Sequence, residues 1–476
     1  MAGFELSAGV NADNVFLVKH SELEGRWDID YYRPKINALE KIIRQKTTKK
    51  LKDLIVKLAS GATPSVQEET KFYSTKENGI PFLRVQNLNV SGELSLDDVK
   101  YINEETHNNY LKRSQVAEHD LLVKITGVGR MAIASVAPRG FNGNTNQHMV
   151  VIKTVSEARS CYLANYLNLD IIEALATRRS TGATRPALDY PALKSIPIIE
   201  DIDFSLLKIA ETKKQQKEQQ AQALLDSIDG YLLNELGITL PKQDNRLEKR
   251  MFTVPFSEVV GIRTDPDYSL KYALLFSQKG YYNFTKLKDL LIGTPQYGAN
   301  EEGKERITDD DVRYIRITDI DELGILKNNN WKTAQTIDKQ YLLNQDDILF
   351  ARSGSVGRCY IHKETEQPAI FAGYLIRFKV NKERLNPDFL FYYCNSMFYK
   401  LWVSAIERPA VQSNINAEEF KALPIALPPI EKQTEIATHI TQIRAQAKQL
   451  QAEAAKLLAA AKAEIERMIL GEVKQT

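Results

Sequence analysis

Asp120-Leu121-Leu122-Val123-Lys124-Ile125-Thr126-Gly127-Val128-Gly129-Arg130 returns later in the chain as Asp347-Ile348-Leu349-Phe350-Ala351-Arg352-Ser353-Gly354-Ser355-Val356-Gly357-Arg358. In both copies an aspartate opens a short apolar run, which reads as a buried strand. A glycine-studded polar turn follows and ends on arginine. The second turn is one residue longer. Working outward, four further stretches pair in the same order. Arg26-Trp27-Asp28-Ile29-Asp30-Tyr31 pairs with Arg263-Thr264-Asp265-Pro266-Asp267-Tyr268, and Leu51-Lys52-Asp53-Leu54 with Leu287-Lys288-Asp289-Leu290. Pro81-Phe82-Leu83-Arg84-Val85 pairs with Arg313-Tyr314-Ile315-Arg316-Ile317. Leu193-Lys194-Ser195-Ile196-Pro197-Ile198 pairs with Phe420-Lys421-Ala422-Leu423-Pro424-Ile425. Along the chain the offsets run 237, 236, 232, 227 and 227, so order is kept while loop lengths drift. The chain is a duplication.

Each copy has one plan. About 170 residues of short Val/Ile/Leu/Tyr/Phe runs, broken by Gly, Asn and Pro, predict strands and turns with a few helices. A proline-marked boundary at Pro197, or at Pro424 to Pro429, leads into a long helix. In the second helix Ile436, Ile440, Ile443, Ala447, Leu450, Ala454, Leu457 and Ala461 step by four and three, the seam of a helix that packs on a helix. The first, from Phe204 to about Leu236, is polar between Glu211 and Gln220 and regains an apolar face at Leu224, Ile228, Tyr231 and Leu232. Ile209 aligns with Ile436 at offset 227, but Leu236-Gly237 aligns with Leu470-Gly471 at offset 234. The difference is one heptad, which lengthens a helix by about 10 Å without turning its packing face. Helices that change length by whole heptads read as a spacer.

Composition limits the functional classes. With 476 residues, 43% hydrophobic and 26% charged, the chain has room for two or three ordinary globular domains. No run approaches 18 apolar residues, and the first residues lack the basic start and apolar core of a secretory signal. Cys161, Cys359 and Cys394 are too few and too scattered for a disulfide framework or zinc site and read as buried, reduced thiols of a cytoplasmic protein. The net charge of +2 conceals asymmetry: residues 31–200 hold 24 Lys and Arg against 17 Asp and Glu, whereas residues 268–427 hold 21 against 20.

No catalytic constellation is apparent. The six histidines show no metal-ligand pairing, and neither a phosphate-binding loop nor a nucleophile elbow is present. Asp265-Pro266-Asp267-Tyr268 looks like the D-P-P-Y loop of amino-methyltransferases. It lacks the second proline and a cofactor-binding glycine motif, and Asp28-Ile29-Asp30-Tyr31 echoes it, so it is not read as an active site. The suggestive stretches surround the two Gly-Arg turns. Residues 121–156 contain no acid, yet carry Lys124, Thr126, Arg130, Arg139, Asn144, Asn146 and Gln147; residues 348–363 are equally acid-free and carry Arg352, Ser353, Ser355 and Arg358. A third cluster, with Arg178, Arg179 and Arg185, aligns with the stretch holding Arg408, Gln412 and Asn414. Glycine lets a backbone approach phosphate, Lys and Arg neutralise it, and amides and arginines read base edges. These residues, with Arg84 and Arg316 at the paired strand ends, are the candidate DNA contacts.

Together these features resemble the specificity subunit of type I restriction-modification systems. The resemblance covers essentially the whole chain and rests on three motifs: the R-x-D-x-[DE]-Y opening, the D-[IL]-L strand with its Gly-Arg turn, and the L-K-x-I-P-I boundary. It implies an α+β fold of two pseudo-symmetric target-recognition domains, separated by two long helices packed as an antiparallel coiled coil. The implied domains are residues 1–200, a central helix at 201–237, residues 238–427, and a C-terminal helix at 428–476. Ile209, Leu224, Ile228, Ile436, Ile440, Ile443, Leu450 and Leu457 would form the helix packing. Each domain would read one half of a bipartite target in double-stranded DNA. The helices would set the spacer and dock two methyltransferase subunits, with restriction/translocase subunits completing the complex. S-adenosylmethionine, ATP and Mg would belong to those partners, leaving this chain without cofactor, metal or catalysis. A shorter turn in the first copy leaves open whether Lys124 or Arg130 takes the part of Arg352. The alternatives are a related methylation-only or phage-exclusion subunit, and a coiled-coil scaffold whose heads bind protein.

Overall fold

In the computed structural model, residues 10–472 are described except 12–14, 24–26, 183, 241–252, 254–279, 309, 328, 364–366 and 407–413, and the side chains of Glu22, Val66 and Glu69. Arg26 and the 263–268 stretch therefore lie outside the described residues. The chain divides into two units, Met1–Gln215 with Ala454–Thr476, and Gln216–Glu453.

The first unit contains α1 (Pro34–Lys46), β1 (Lys57–Ser60), β2 (Ile80–Leu83), β3 (Lys100–Ile102), β4 (Gln115–Ala117), β5 (Leu121–Lys124), β6 (Ala134–Val136), β7 (Asn142–Thr145) and β8 (Met149–Lys153). Helices α2 (Glu157–Leu167) and α3 (Asp170–Arg179) follow, then the start of α4 (Ser205–Leu236). One sheet runs β1-β8-β5-β6, antiparallel throughout, and a second runs β3-β2-β7-β4 with β2 and β7 parallel. The central run Leu121–Lys124 is continuously buried because both faces of its sheet are covered. Successive side chains alternate between faces. Leu121 and Val123 pack with Leu163, Leu167 and Ile172 of the helices, whereas Leu122 joins Leu83 and Val116 of the second sheet. Each fully buried Leu or Val here contributes roughly 1.5–3 kcal/mol of hydrophobic stabilisation.

The second unit repeats the scheme with β9 (Phe284–Lys286), β10 (Gln296–Tyr297), β11 (Gly303–Glu305), β12 (Arg313–Ile315), β13 (Lys332–Ala334), β14 (Ile348–Ala351), β15 (Cys359–Ile361), β16 (Ala369–Phe371) and β17 (Leu375–Phe378). Then come α5 (Pro387–Tyr393), α6 (Met397–Ile406), β18 (Pro424–Ala426) and α7 (Ile430–Leu470). The order β10-β17-β14-β15 matches the first sheet, and β13-β12-β16, with β12 and β16 parallel, matches β3-β2-β7. Strand β11 extends the other edge. Ile348 and Phe350 face the helices and Leu349 faces the second sheet, each 227 residues after its counterpart. The duplication extends to single hydrogen bonds. Tyr166 donates to Pro197 O (3.0 Å) and accepts from Ile199 N (3.4 Å). Tyr393 donates to Pro424 O (2.8 Å) and accepts from Ala426 N (3.5 Å). In each unit a buried tyrosine thus latches helix to boundary.

Within the second unit α4 and α7 run antiparallel. Lys217 pairs with Glu453 (2.6 Å), the Tyr231 and His439 rings lie 4.4 Å apart, and Glu235 pairs with Lys432 (2.7 Å). Within the first unit Leu207 shares a cluster with Leu458, Ala461, Ile465 and Ile469. In α7 the seam residues Ile436, Ile440, Ala447 and Ala454 are buried, and Ile443, Leu450, Leu457 and Ala461 are half-buried. In α4 Leu224 and Ile228 are half-buried, but Ile209 is 50% exposed. The seam there passes through Leu207, Ala210, Lys214, Lys217 and Ala221. A residue next to Ala210 is turned about 100° away from the seam. The sequence hid this because two half-buried lysines hold seam positions, one of them, Lys217, paired with Glu453. The thiols also divide: Cys359 and Cys394 are buried, but Cys161 is exposed.

Candidate nucleic-acid interface

In the first unit the ends of β1, β2, β5 and β7 and the start of β8 bring five loops together. Gly61 N donates to Asn146 O (3.3 Å), Asn146 N to Leu83 O (3.4 Å), Ile125 N to His148 O (2.9 Å), and Leu188 N to Ile125 O (2.8 Å). Gly127 N donates to Pro186 O (3.0 Å), and Thr126 bridges to Ala187. Gln147 and Arg185 are exposed on this surface; Arg84, Thr126 and His148 are half-buried. Thr63 donates its hydroxyl to Gln147 Oε1, and Arg185 Nη2 lies 3.3 Å from His148 Nε2. Burial first, and the Arg185 charge second, push the His148 imidazole below its ordinary pKa. Arg84 Nε, Thr145 Oγ1 and His148 Nδ1 are buried here without a hydrogen-bond partner.

Several expected contacts are committed inside the fold instead. Arg178 and Arg179, 8% and 7% exposed, both pair with Glu40. Arg178 also donates to Tyr31 O (2.6 Å) and stacks on the Tyr31 ring at 4.2 Å; Arg179 donates to Leu175 O (2.8 Å) and Ser195 Oγ (3.0 Å). Burial would raise the Glu40 pKa, but Arg179 and Arg178 outweigh it and hold the carboxylate ionised. Asn144 is fully buried between His107 and Leu111 O, and Asn146 is buried, accepting from His148 N (3.1 Å). Lys124 is buried and donates to Val128 O (2.7 Å), tying down the 126–129 turn; burial lowers its pKa. Arg130 pairs with Asp170 and donates to Asn168 O (2.7 Å). Arg139 is exposed, but at the opposite end of β7 from the cluster. Composition concealed these commitments because it records no depth, and because the Glu40 that holds Arg178 and Arg179 lies 138 and 139 residues away.

The second unit builds the same corner with different side chains. Arg352 N donates to Tyr374 O (2.9 Å), Ile415 N to Arg352 O (2.9 Å), and Ser353 bridges to Asn414. These are the bonds of Ile125 with His148 and Leu188, and of Thr126 with Ala187. The counterpart of Arg352 is therefore Ile125, neither Lys124 nor Arg130. Arg130 corresponds to Arg358, which likewise donates to a backbone carbonyl, Ile320 O, at 2.7 Å. Arg316 is held by Asp319 through two bonds, 3.0 and 2.7 Å. A cleft of about 660 Å³ is lined by Glu301, Arg316, Thr318, Ser353, Ser355 and Tyr374, among others. Arg352 lies over the Tyr297 ring at 5.1 Å, and its Nε donates to Asn414 Oδ1 (3.3 Å). Arg408 and Gln412 lie outside the described residues.

Three further residues shape the corner without standing out in the sequence: Tyr297, Gly61 and Gly298. Tyr297, 40% exposed, is the platform under Arg352. Gly61 and Gly298 pack so closely on the Thr145 and Ala372 carbonyls that a Cβ would overlap them. Their separation of 237 residues equals the first offset of the repeat, a signal that was available. Among the described residues no group of three His, Cys, Asp or Glu is placed to hold a metal ion, and no helix is long and apolar enough to cross a membrane.

Residues 280–458 match the family model described as the type I restriction modification DNA specificity domain. The Type I restriction enzyme EcoBI specificity subunit of Escherichia coli is 26% identical over 166 residues, 34% of this chain and 34% of that protein. The StySPI specificity subunit of Salmonella potsdam is 25% identical over 173 residues, 35% of this chain and 37% of that protein. The chain thus spans about a third of the length of these curated relatives. A solved chain from a study of complex assembly and conformational transition in a type I R-M system aligns with a TM-score of 0.45, 14% identity, and coverage of 89% of this chain and 97% of that one.

Proposed function

We propose, starting from the match of residues 280–458 to the family model described as the type I restriction modification DNA specificity domain, that this chain is the DNA-reading subunit of such a complex. Each repeat reads one half of a bipartite target, without catalysis of its own. The observation that carries this reading is the equivalent corner in the two units. One hydrogen-bonded scaffold presents Gln147, His148 and Arg185 in the first and Tyr297, Arg352, Tyr374 and Asn414 in the second. A duplicated scaffold with unlike polar faces suits an asymmetric target, where identical faces would require a palindrome.

Chemically, the exposed amide and guanidinium groups supply the donors that base edges accept, and backbone amides of the glycine turns and basic side chains suit phosphate. Methyl transfer from S-adenosylmethionine, and ATP- and Mg-dependent translocation and cleavage, fall to methyltransferase and restriction subunits docked on the helices. The test is duplex binding by the chain assembled with its methyltransferase partner across a salt series. Affinity should fall steeply as salt rises, in proportion to the phosphates contacted. Salt-insensitive binding, or no binding, would overturn the reading in favour of a protein-binding scaffold.

A further inference from the structure

We infer that Arg352 is the residue with which the second unit recognises a guanine, through its two Nη groups on the O6 and N7 acceptors of the major-groove edge. The inference deepens the proposed function and rests on it.

Three observations single out Arg352. First, its backbone is pinned on both sides, by Tyr374 O and Ile415 N, directly after the end of β14. Second, the guanidinium plane is preset. The Tyr297 ring supports it at 5.1 Å, and the Nε–H is spent on Asn414 Oδ1 at 3.3 Å. Tyr297 is itself fixed, its hydroxyl accepting from Ala417 N at 3.2 Å. What remains is the end-on fork of Nη1 and Nη2, a planar pair of donors matched to guanine's two adjacent acceptors. Third, among the described residues the other arginines of this corner are occupied: Arg316 by Asp319, Arg377 by Asp347, and Arg358 by Ile320 O. No carboxylate pairs with Arg352 among the described residues. Holding the fork before binding reduces the side-chain entropy lost when a base is engaged. A phosphate contact would need only charge, which a lysine on a mobile stem supplies equally well.

The first unit cannot make this contact at the same place, because Ile125 occupies it. Guanine recognition by this device therefore belongs to one half-site alone.

The experiment uses the chain assembled with its methyltransferase partner and duplexes carrying its mapped target. Each guanine is replaced in turn by 7-deazaguanine, which lacks the N7 acceptor. The native complex should lose affinity at one guanine of one half-site, by less than the roughly 5- to 150-fold of a whole bidentate contact because O6 still accepts. Arg352→Lys, which keeps the charge but not the fork, should bind the unmodified target more weakly and lose part of its sensitivity to 7-deazaguanine at that position, because a lysine donates to N7 and O6 without the planar pair. Overturning results are equal sensitivity of native and Arg352→Lys complexes at every guanine, native-like binding by Arg352→Lys, or a target without guanine in the half-site concerned. Absence of any salt-dependent duplex binding by the native complex would instead remove the proposed function itself.

Discussion

At the scale of single residues, burial decides which charges are free to act outward. Glu40 is 7% exposed and gathers Arg44, Arg178 and Arg179. Removing one partner from a buried ionic cluster leaves uncompensated charge, at a cost of roughly 3–5 kcal/mol. Glu40→Gln should therefore lower the unfolding free energy of the chain by about that much, measured by chemical denaturation. A change within about 0.5 kcal/mol would show the cluster to be dispensable. The same carboxylate sets an acid limit. Its folded pKa lies below the unfolded value, so its contribution is complete above the unfolded pKa and is lost as pH falls through the folded one. Native protein should lose stability on acidification below the ordinary carboxylate range, and Glu40→Gln should lose less over the same interval. Lys124 gives a contrasting case, an ammonium bound to the carbonyl of Val128, which is itself 79% exposed. Lys124→Met should release the 126–129 turn and weaken recognition of the first half-site only, read from binding to duplexes altered in either half.

At the scale of elements, the sequence disclosed patterns that repeat along the chain better than pairings between distant parts of it. β5 and β14 were legible because both faces of each strand are buried, giving the same continuous apolar run twice. The α7 seam was legible because it is apolar nearly throughout. The α4 seam was not, because Lys214 and Lys217 occupy it and Ile209 lies off it. Arg178, Arg179, Lys124 and Asn144 looked like surface contacts because composition records neither depth nor a partner more than a hundred residues away. Two predictions belong here. Tyr166→Phe and Tyr393→Phe each leave a buried boundary carbonyl without its donor and should cost about 1–3 kcal/mol. Deleting the heptad Ala454 to Ala460 should keep the face of α7 in register while shortening it by about 10 Å. That length corresponds to roughly three base pairs of duplex, so the preferred gap between half-sites should change by that amount, or assembly should fail. An unchanged gap with normal assembly would contradict the spacer role.

At the scale of the whole molecule, the two units share the order of the first sheet and of three strands of the second, core faces, tyrosine latches and corner hydrogen bonds, yet differ in the side chains these bonds carry. Ile125 stands where the other unit has Arg352, and His148 where it has Tyr374. Shared bonds without shared contacts are what a duplicated reader of two unlike half-sites requires. The measurement that tests this most directly is a genome-wide map of methylated bases in cells carrying the chain with its methyltransferase partner, compared with cells lacking the chain. The account predicts one motif of two fixed, unlike blocks separated by a gap of constant length and free sequence, present only when the chain is present. A single uninterrupted block, two identical blocks, or a methylation pattern indifferent to the chain would contradict it.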